Sequence, residues 1–350
     1  MKVLYTKLIL LCCVVLFARM ASAQTVTNVT AEQVNKTIHV SYNLDKQADI
    51  TLFVSTDGGS FYTQLYRVSG DVGKNISAGH KTIVWDVLAE REKLVGDNIV
   101  FKVKAQGEVD LTFTLNGVAF KMIYVKGGTF TMGCTSEQGI DCNSDEKPTH
   151  SVTLSDFWMG ETEVTQALWQ AVMGNNPSYF KGDNRPVGQV SWNDCQEFIR
   201  KLNSKLSGQL PSYCRFALPT EAQWEYAARG GNKSRGYKYA GGSNLGDVAW
   251  YTVNCYEKGD YGPRPVKSKQ ANELRLYDMS GNVWEWCSDL YGNYNSTSQT
   301  NPSGPPSGSD HVLRGGSWSF IAKSCRVASR LNGPPASNDS YGFRLSLVRQ

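Results

Sequence analysis

Nine cysteines and four histidines are the residues of this 350-residue chain with the most chemistry to offer. Cys12 and Cys13 lie in an apolar N-terminal run; the other seven are Cys134, Cys142, Cys195, Cys214, Cys255, Cys287 and Cys325. None of the seven are spaced C-x-x-C, which disfavours a zinc ribbon or a thioredoxin-type redox centre. An odd number in an oxidising compartment leaves at least one unpaired. Cys134 and Cys142 bracket a short polar loop and are the pair expected to bridge. Cys325 is a candidate catalytic thiol, because Arg326 follows it and a neighbouring cation can depress a thiol pKa. A buried, inert sulfur is the simpler expectation there. His150 and His311 share no paired-ligand spacing.

The compartment follows from the N-terminus. Lys2 and Lys7 precede the apolar run from Leu8 to Phe17, and Ala21-Ser22-Ala23 follows. That order reads as a signal peptide over residues 1–23, cut before Gln24. Ten apolar residues fall short of the roughly 20 that span a bilayer. Bulky Leu11 precedes Cys12, where a lipid-attachment box wants a small residue. The mature protein is therefore expected to be exported (periplasmic, cell-surface or secreted, in a bacterium) with no transmembrane anchor. Without Lys2, Lys7 and Arg19 the chain has 33 basic against 32 acidic side chains. So balanced a charge gives no electrostatic hold on nucleic acid.

Composition changes sharply near residue 110. All 12 prolines, the seven later cysteines and eight of the nine tryptophans follow that point; only Trp85 precedes it. Before it, Lys36–Tyr42, Ile50–Val54, Phe61–Val68, Lys81–Val87 and Asn98–Val103 alternate apolar with polar residues between glycine-bearing turns. Residues 24–107 are accordingly expected to form an all-β sandwich of immunoglobulin or fibronectin type, a spacer rather than a catalyst. Residues 108–115 read as a linker, and 116–350 as an α+β domain. Within it, helices are expected over Val164–Met173, Asn193–Leu206 and, behind the capping box Thr220-Glu221-Ala222-Gln223, up to Gly230. No internal repeat is visible.

The second domain carries an ordered series of motifs: MIYVKGGTFTMG (122–133), DEKPTH (145–150), ETEVT (161–165), PVGQVSW (186–192), LPTEAQWEYAARG (218–230), LYDMSGNVWEW (276–286), LRGGSW (313–318) and GFR (342–344). In this it resembles the formylglycine-generating enzyme, or sulfatase-modifying factor, family. The resemblance implies a C-type-lectin-like fold. It also implies a copper oxidase that turns a sulfatase cysteine into formylglycine, with two cysteines holding the metal. Two thiolates suit soft Cu(I), but only the second position is a cysteine here, Cys325. The first is Phe320, and the flanking family His and Tyr are Ile321 and Ser324, although Ser317 and Trp284 are retained. Copper is therefore not expected. The resemblance further implies a Ca²⁺ site with the side chains of Asp278 and Glu285 and the carbonyls of Gly281 and Val283, a hard-oxygen set on a glycine loop. The family's iron-dependent sulfoxide synthases need an extra helical domain that this chain lacks.

The function expected on these grounds is binding or scaffolding. The final loops would present Trp284, Ser317, Trp318, Phe320 and Tyr341 as a face for a protein or glycan ligand, because aromatic groups supply large contact area at small entropic cost. Some relatives are diversified by retroelements in this segment. Ser319, Phe320, Ile321, Ala328, Leu331, Asn338, Asp339 and Ser340 would be the substituted set. Arg314–Trp318, Cys325–Val327 and Gly342–Arg344 would be the fixed frame. The alternatives are a formylglycine-generating oxidase that tolerates Phe320, and a part of an envelope gliding or secretion apparatus.

Overall fold

The computed structural model describes residues 26–349 apart from 46–47, 97, 107–109, 211–213, 257–260 and 338–340. The signal-peptide reading of 1–23 and positions Asn338, Asp339 and Ser340 lie outside the described residues. The chain divides into two units, Met1–Val109 and Asp110–Gln350.

The first unit consists of two sheets around one core. In the first sheet, Val26–Val34, Thr37–Leu44, Gly79–Asp86 and Val68–Gly70 pair in that order. In the second, Ala48–Ser55 pairs with Thr63–Gln64, Gly73–Ile76 and Val100–Gln106. Strict alternation along Thr37–Leu44 sends Ile38, Val40, Tyr42 and Leu44 inward, where they share a core with Ile50, Leu52 and Val54 of the other sheet. The expected strand Phe61–Val68 is mostly absent. Its backbone N–H groups at Tyr66 and Arg67 donate to the Glu90 carboxylate instead of a neighbouring strand.

The second unit is also mostly sheet, with few helices. Leu111–Leu115, read from sequence as linker, is a strand paired with Val118–Val125. Asn116 and Gly117 turn that hairpin with φ of 49° and 82°, the left-handed pair that a two-residue turn requires. The same sheet continues through Phe157–Gly160 and Ser346–Arg349 to Cys214–Ala217, so the last strand lies inside the sheet. A second sheet orders Arg330–Gly333, His311–Arg314, Trp284–Leu290 and Tyr341–Gly342. The helices Gln166–Met173, Trp192–Lys205 and Glu221–Ala228 start at the side-chain caps Thr165, Ser191 and Thr220. Cys195, Phe198, Ile199 and Leu202 turn one face of the second helix into the core. From Gly230 to Val283 the chain is largely loop, and polar side chains take over the backbone hydrogen bonds.

Candidate functional site

Four buried arginines fasten the C-terminal segment to earlier parts of the chain. Arg344 donates to Glu285 through Nε and Nη2 at 2.6 and 2.7 Å. Arg326 grips Glu146 at 2.8 and 2.5 Å, and Arg330 holds Glu221 at 2.6 and 2.8 Å. Arg314 pairs with Glu225. Both ends of each pair are buried, and the planar two-point bonds of Arg344, Arg326 and Arg330 fix orientation as well as distance. The glutamates lie in the motifs at 145–150, 218–230 and 276–286, but nothing local in those motifs names their partners.

On this frame the expected ligand face is only partly exposed. Phe320 is 38% and Ile321 60% exposed. Trp284, expected on the face, is buried, because its strand is the inner partner of both His311–Arg314 and Tyr341–Gly342. Its ring meets Phe320 edge-on at 5.5 Å, and its Nε1–H is a buried donor without a partner among the described residues. Trp286 is buried as well and meets the Tyr341 ring at 5.3 Å. Ser317 is buried, its Oγ 3.2 Å from that of Ser319. Trp318 walls a cleft of about 260 Å³ with Tyr179, Phe180, Pro186, Gln189 and Pro263. The Phe180 ring stands edge-on to Trp318 at 5.4 Å, and Tyr179 is mostly exposed. Gln189 holds φ at 58°, a strained backbone at the cleft wall.

Cys325 is fully buried against Tyr239, Leu245, Val248 and Ala249. Burial, with the Cys255 thiol nearby, pushes its pKa up to about 12, so it is a protonated thiol at neutral pH. Arg326, the cation that could have lowered it, is turned away into Glu146. Phe320, at the position of the family's other cysteine, supplies no metal ligand. Cys134 and Cys142 form the expected disulfide. His150 and His311 serve different places: the His311 ring stacks on Trp192 at 3.8 Å, and burial lowers its pKa.

The loop at 278–285 encloses a buried surplus of negative charge. Asp278 sits at φ 58°; its Oδ2 accepts the Lys267 N–H at 2.9 Å, while Oδ1 is buried with no partner among the described residues. Glu285 is committed to Arg344, and its Oε2 also accepts the Trp224 Nε1–H at 2.7 Å. Oε1 receives one bond and keeps a lone pair. Glu163, which sequence reasoning overlooked although it lies within ETEVT, accepts from Asn282 Nδ2 at 2.7 Å and from the Val283 N–H at 3.1 Å. Burial, then the charges of Asp278 and Glu285, raise its pKa well above the usual carboxylate range. Burial likewise raises Asp278, to about 6. Three buried carboxylates thus lie near one buried guanidinium, that of Arg344, and the Asp278 Oδ1 is left without a partner among the described residues.

Residues 114–349 match the Sulfatase-modifying factor enzyme 1-like domain, and the chain belongs to that family. It is similar to the chaperone protein LppX of Paenibacillus barcinonensis, 36% identical over 57% of this chain and 79% of that protein. The formylglycine-generating enzyme of Streptomyces coelicolor is 32% identical over 63% of this chain and 87% of its own. Among solved structures, Treponema denticola variable protein 1 shares the fold with a TM-score of 0.60 and 35% identity, covering 68% of this chain and 98% of that one. No described helix is long and apolar enough to cross a membrane.

Proposed function

We propose that this member of the family is an exported binding or scaffold module rather than an oxidase. The observation that carries this reading is the pair Phe320 and Cys325: a side chain without donor electrons faces outward, and the remaining thiol is buried and protonated. The ligand face would comprise Phe320, Trp318 and the cleft beside it, with Tyr341 at its edge and Trp284 as the floor. The first unit, two sheets on one core, would be an immunoglobulin- or fibronectin-like spacer, reached after removal of the signal peptide.

Two further observations support the module. Of the frame Arg314–Trp318, Cys325–Val327 and Gly342–Arg344, all but the half-buried Trp318 are buried, while Phe320 and Ile321 are exposed and Ser319 and Leu331 half-buried. That is the division a variable face on a fixed frame needs, and one similar structure bears the name of a variable protein. Ala328 departs from it: it is fully buried, so it belongs to the frame. A Ca²⁺ ion would be held by Asp278 and Glu285, with the carbonyls of Gly281 and Val283, and would balance the buried carboxylates and stiffen the loop that ends in Trp284.

The deciding experiment incubates the mature protein with Cu(I), oxygen and a sulfatase peptide bearing C-x-P-x-R, beside Phe320→Cys. The unmodified protein should bind no stoichiometric Cu(I) and leave the peptide cysteine intact by mass. Formylglycine produced at a catalytic rate by the unmodified protein would overturn the reading.

A further inference from the structure

The cleft beside Trp318 has walls fixed in place. Tyr179, Phe180 and Trp318 stand in a row, each ring edge-on to the next at 5.0 and 5.4 Å, and Pro186 and Pro263 line the cleft with them. Gln166 ties two of these walls together. Its Nε2 donates to the Phe180 and Pro186 carbonyls at 2.7 and 3.2 Å, while Oε1 accepts from Asn176 Nδ2 and the Gly182 N–H. Gly262 presses so closely on Phe180 that a Cβ there would lie 2.7 Å from the ring. The surroundings are apolar too. Of the seven large apolar side chains exposed among the described residues of the second unit, all but Ile140 belong to the segments that meet here. The Thr252 N–H donates to the Phe320 carbonyl at 3.0 Å, and the Tyr256 ring lies 4.9 Å from that of Tyr261, which adjoins Gly262. Exposed apolar groups gathered on one side of a molecule mark an interaction surface.

The chemistry of the walls selects among ligands. No charged side chain lines the cleft, so a charged group entering it finds no counter-ion. The acceptors already receive bonds: the Phe180 and Pro186 carbonyls from Gln166, the Pro263 carbonyl from Arg185 Nη1 at 2.5 Å, and Ser178 Oγ from the Gly188 N–H at 3.1 Å. The free groups can all donate. The Trp318 Nε1–H, the Tyr179 hydroxyl and the Gln189 amide make no side-chain hydrogen bond among the described residues. A sugar brings a donor with every hydroxyl and would leave most of them unanswered. An apolar helix keeps its carbonyls in its own ladder. A polyproline segment is the complement: it has no internal hydrogen bonds, its carbonyls are bare, its prolines carry no N–H, and its stiff rings dock against aromatic ones. We infer that this cleft takes an extended, uncharged, proline-rich segment of a partner protein. Its rings would lie against Tyr179, Phe180 and Trp318, and its carbonyls would accept from Trp318, Tyr179 and Gln189. The inference rests on the binding-module reading and narrows the ligand from protein or glycan to one kind of peptide.

The test uses the full mature chain and saturation-transfer NMR with octaproline, a control peptide of alanine, glycine and serine of the same length, and cellobiose, each up to millimolar concentration. Octaproline should bind saturably and the other two should not. Trp318→Phe keeps a ring in the wall and removes the Nε1–H, so affinity should fall about three- to tenfold. Tyr179 is 75% exposed, so Tyr179→Ala leaves the fold intact; it removes the outer ring and should weaken binding at least about tenfold. No saturable binding of octaproline overturns the inference. So does equal binding of the control peptide, binding of cellobiose alone, or octaproline binding that Tyr179→Ala leaves unchanged. Copper plays no part in these titrations. Failure here without formylglycine in the copper assay removes the proline segment alone, whereas formylglycine there removes the binding-module reading itself.

Discussion

Replacing Glu146 by Gln tests whether buried ion pairs hold the C-terminal segment in place. Both Glu146 and Arg326 are fully buried, and the carboxylate takes two bonds from the guanidinium, at 2.8 and 2.5 Å, and one from the Asn143 N–H at 3.2 Å. Gln keeps an acceptor for one of these bonds and loses the charge. Besides that acceptor, the buried Arg326 cation would keep the Lys323 carbonyl at 3.0 Å, the Gln138 amide oxygen at 3.5 Å, the Cys142 sulfur at 4.0 Å and the more distant charge of Asp141. Breaking one side of a buried pair costs about 3–5 kcal/mol; the surviving acceptor places this variant near about 3. Urea unfolding followed by tryptophan fluorescence reads the right unit, because eight of the nine tryptophans lie there. Removing both charges in Glu146→Gln/Arg326→Leu should recover part of the loss, since no charge is then left unanswered. A cost below about 1 kcal/mol for Glu146→Gln, or a double variant no better than the single, would refute the reasoning.

Burial, with the charge of Glu221, raises the Asp289 carboxyl to about 7, so the folded state holds this proton more tightly than the unfolded one. Its stabilising effect is complete below about pH 4 and disappears as pH rises through 7, a span of up to about 4 kcal/mol. Asp289→Asn should therefore gain on the wild type between pH 5 and 8.5 in chemical unfolding, and parallel profiles would contradict this. Calcium in hundredfold excess over Kd should stabilise the second unit by about 2.7 kcal/mol relative to EGTA. Asp278→Asn should remove that difference in a thermal scan, and equal Tm values for the wild type with calcium and with EGTA would dismiss the site. Ellman's reagent should find the five buried thiols only after denaturation; fast stoichiometric reaction of Cys325 in the native protein would show it to be an accessible nucleophile.

Much of this protein was legible in its residues alone. Helix starts at Thr165, Ser191 and Thr220 are written in the cap and the three residues after it. Strands of the first unit show as alternation over eight residues, and the Cys134–Cys142 bridge closes a loop of short separation. The family is carried by motifs that survive as local strings. What the sequence left undecided depends on residues far apart in the chain. The Arg326 side chain could have faced Cys325, one residue away, but it pairs with Glu146, 180 residues away. Trp284 and Trp286, two residues apart, share one face of their strand and are buried there, yet Glu285 and Cys287 on the opposite face are buried too, because that strand has neighbours on each edge and packing on each face. Alternation predicts one inward face; only the layers above and below decide whether there are two. The same holds for Asp289 and His150: residue type announces what each could do, while the free energy of burying charge and apolar surface together decides where it does it.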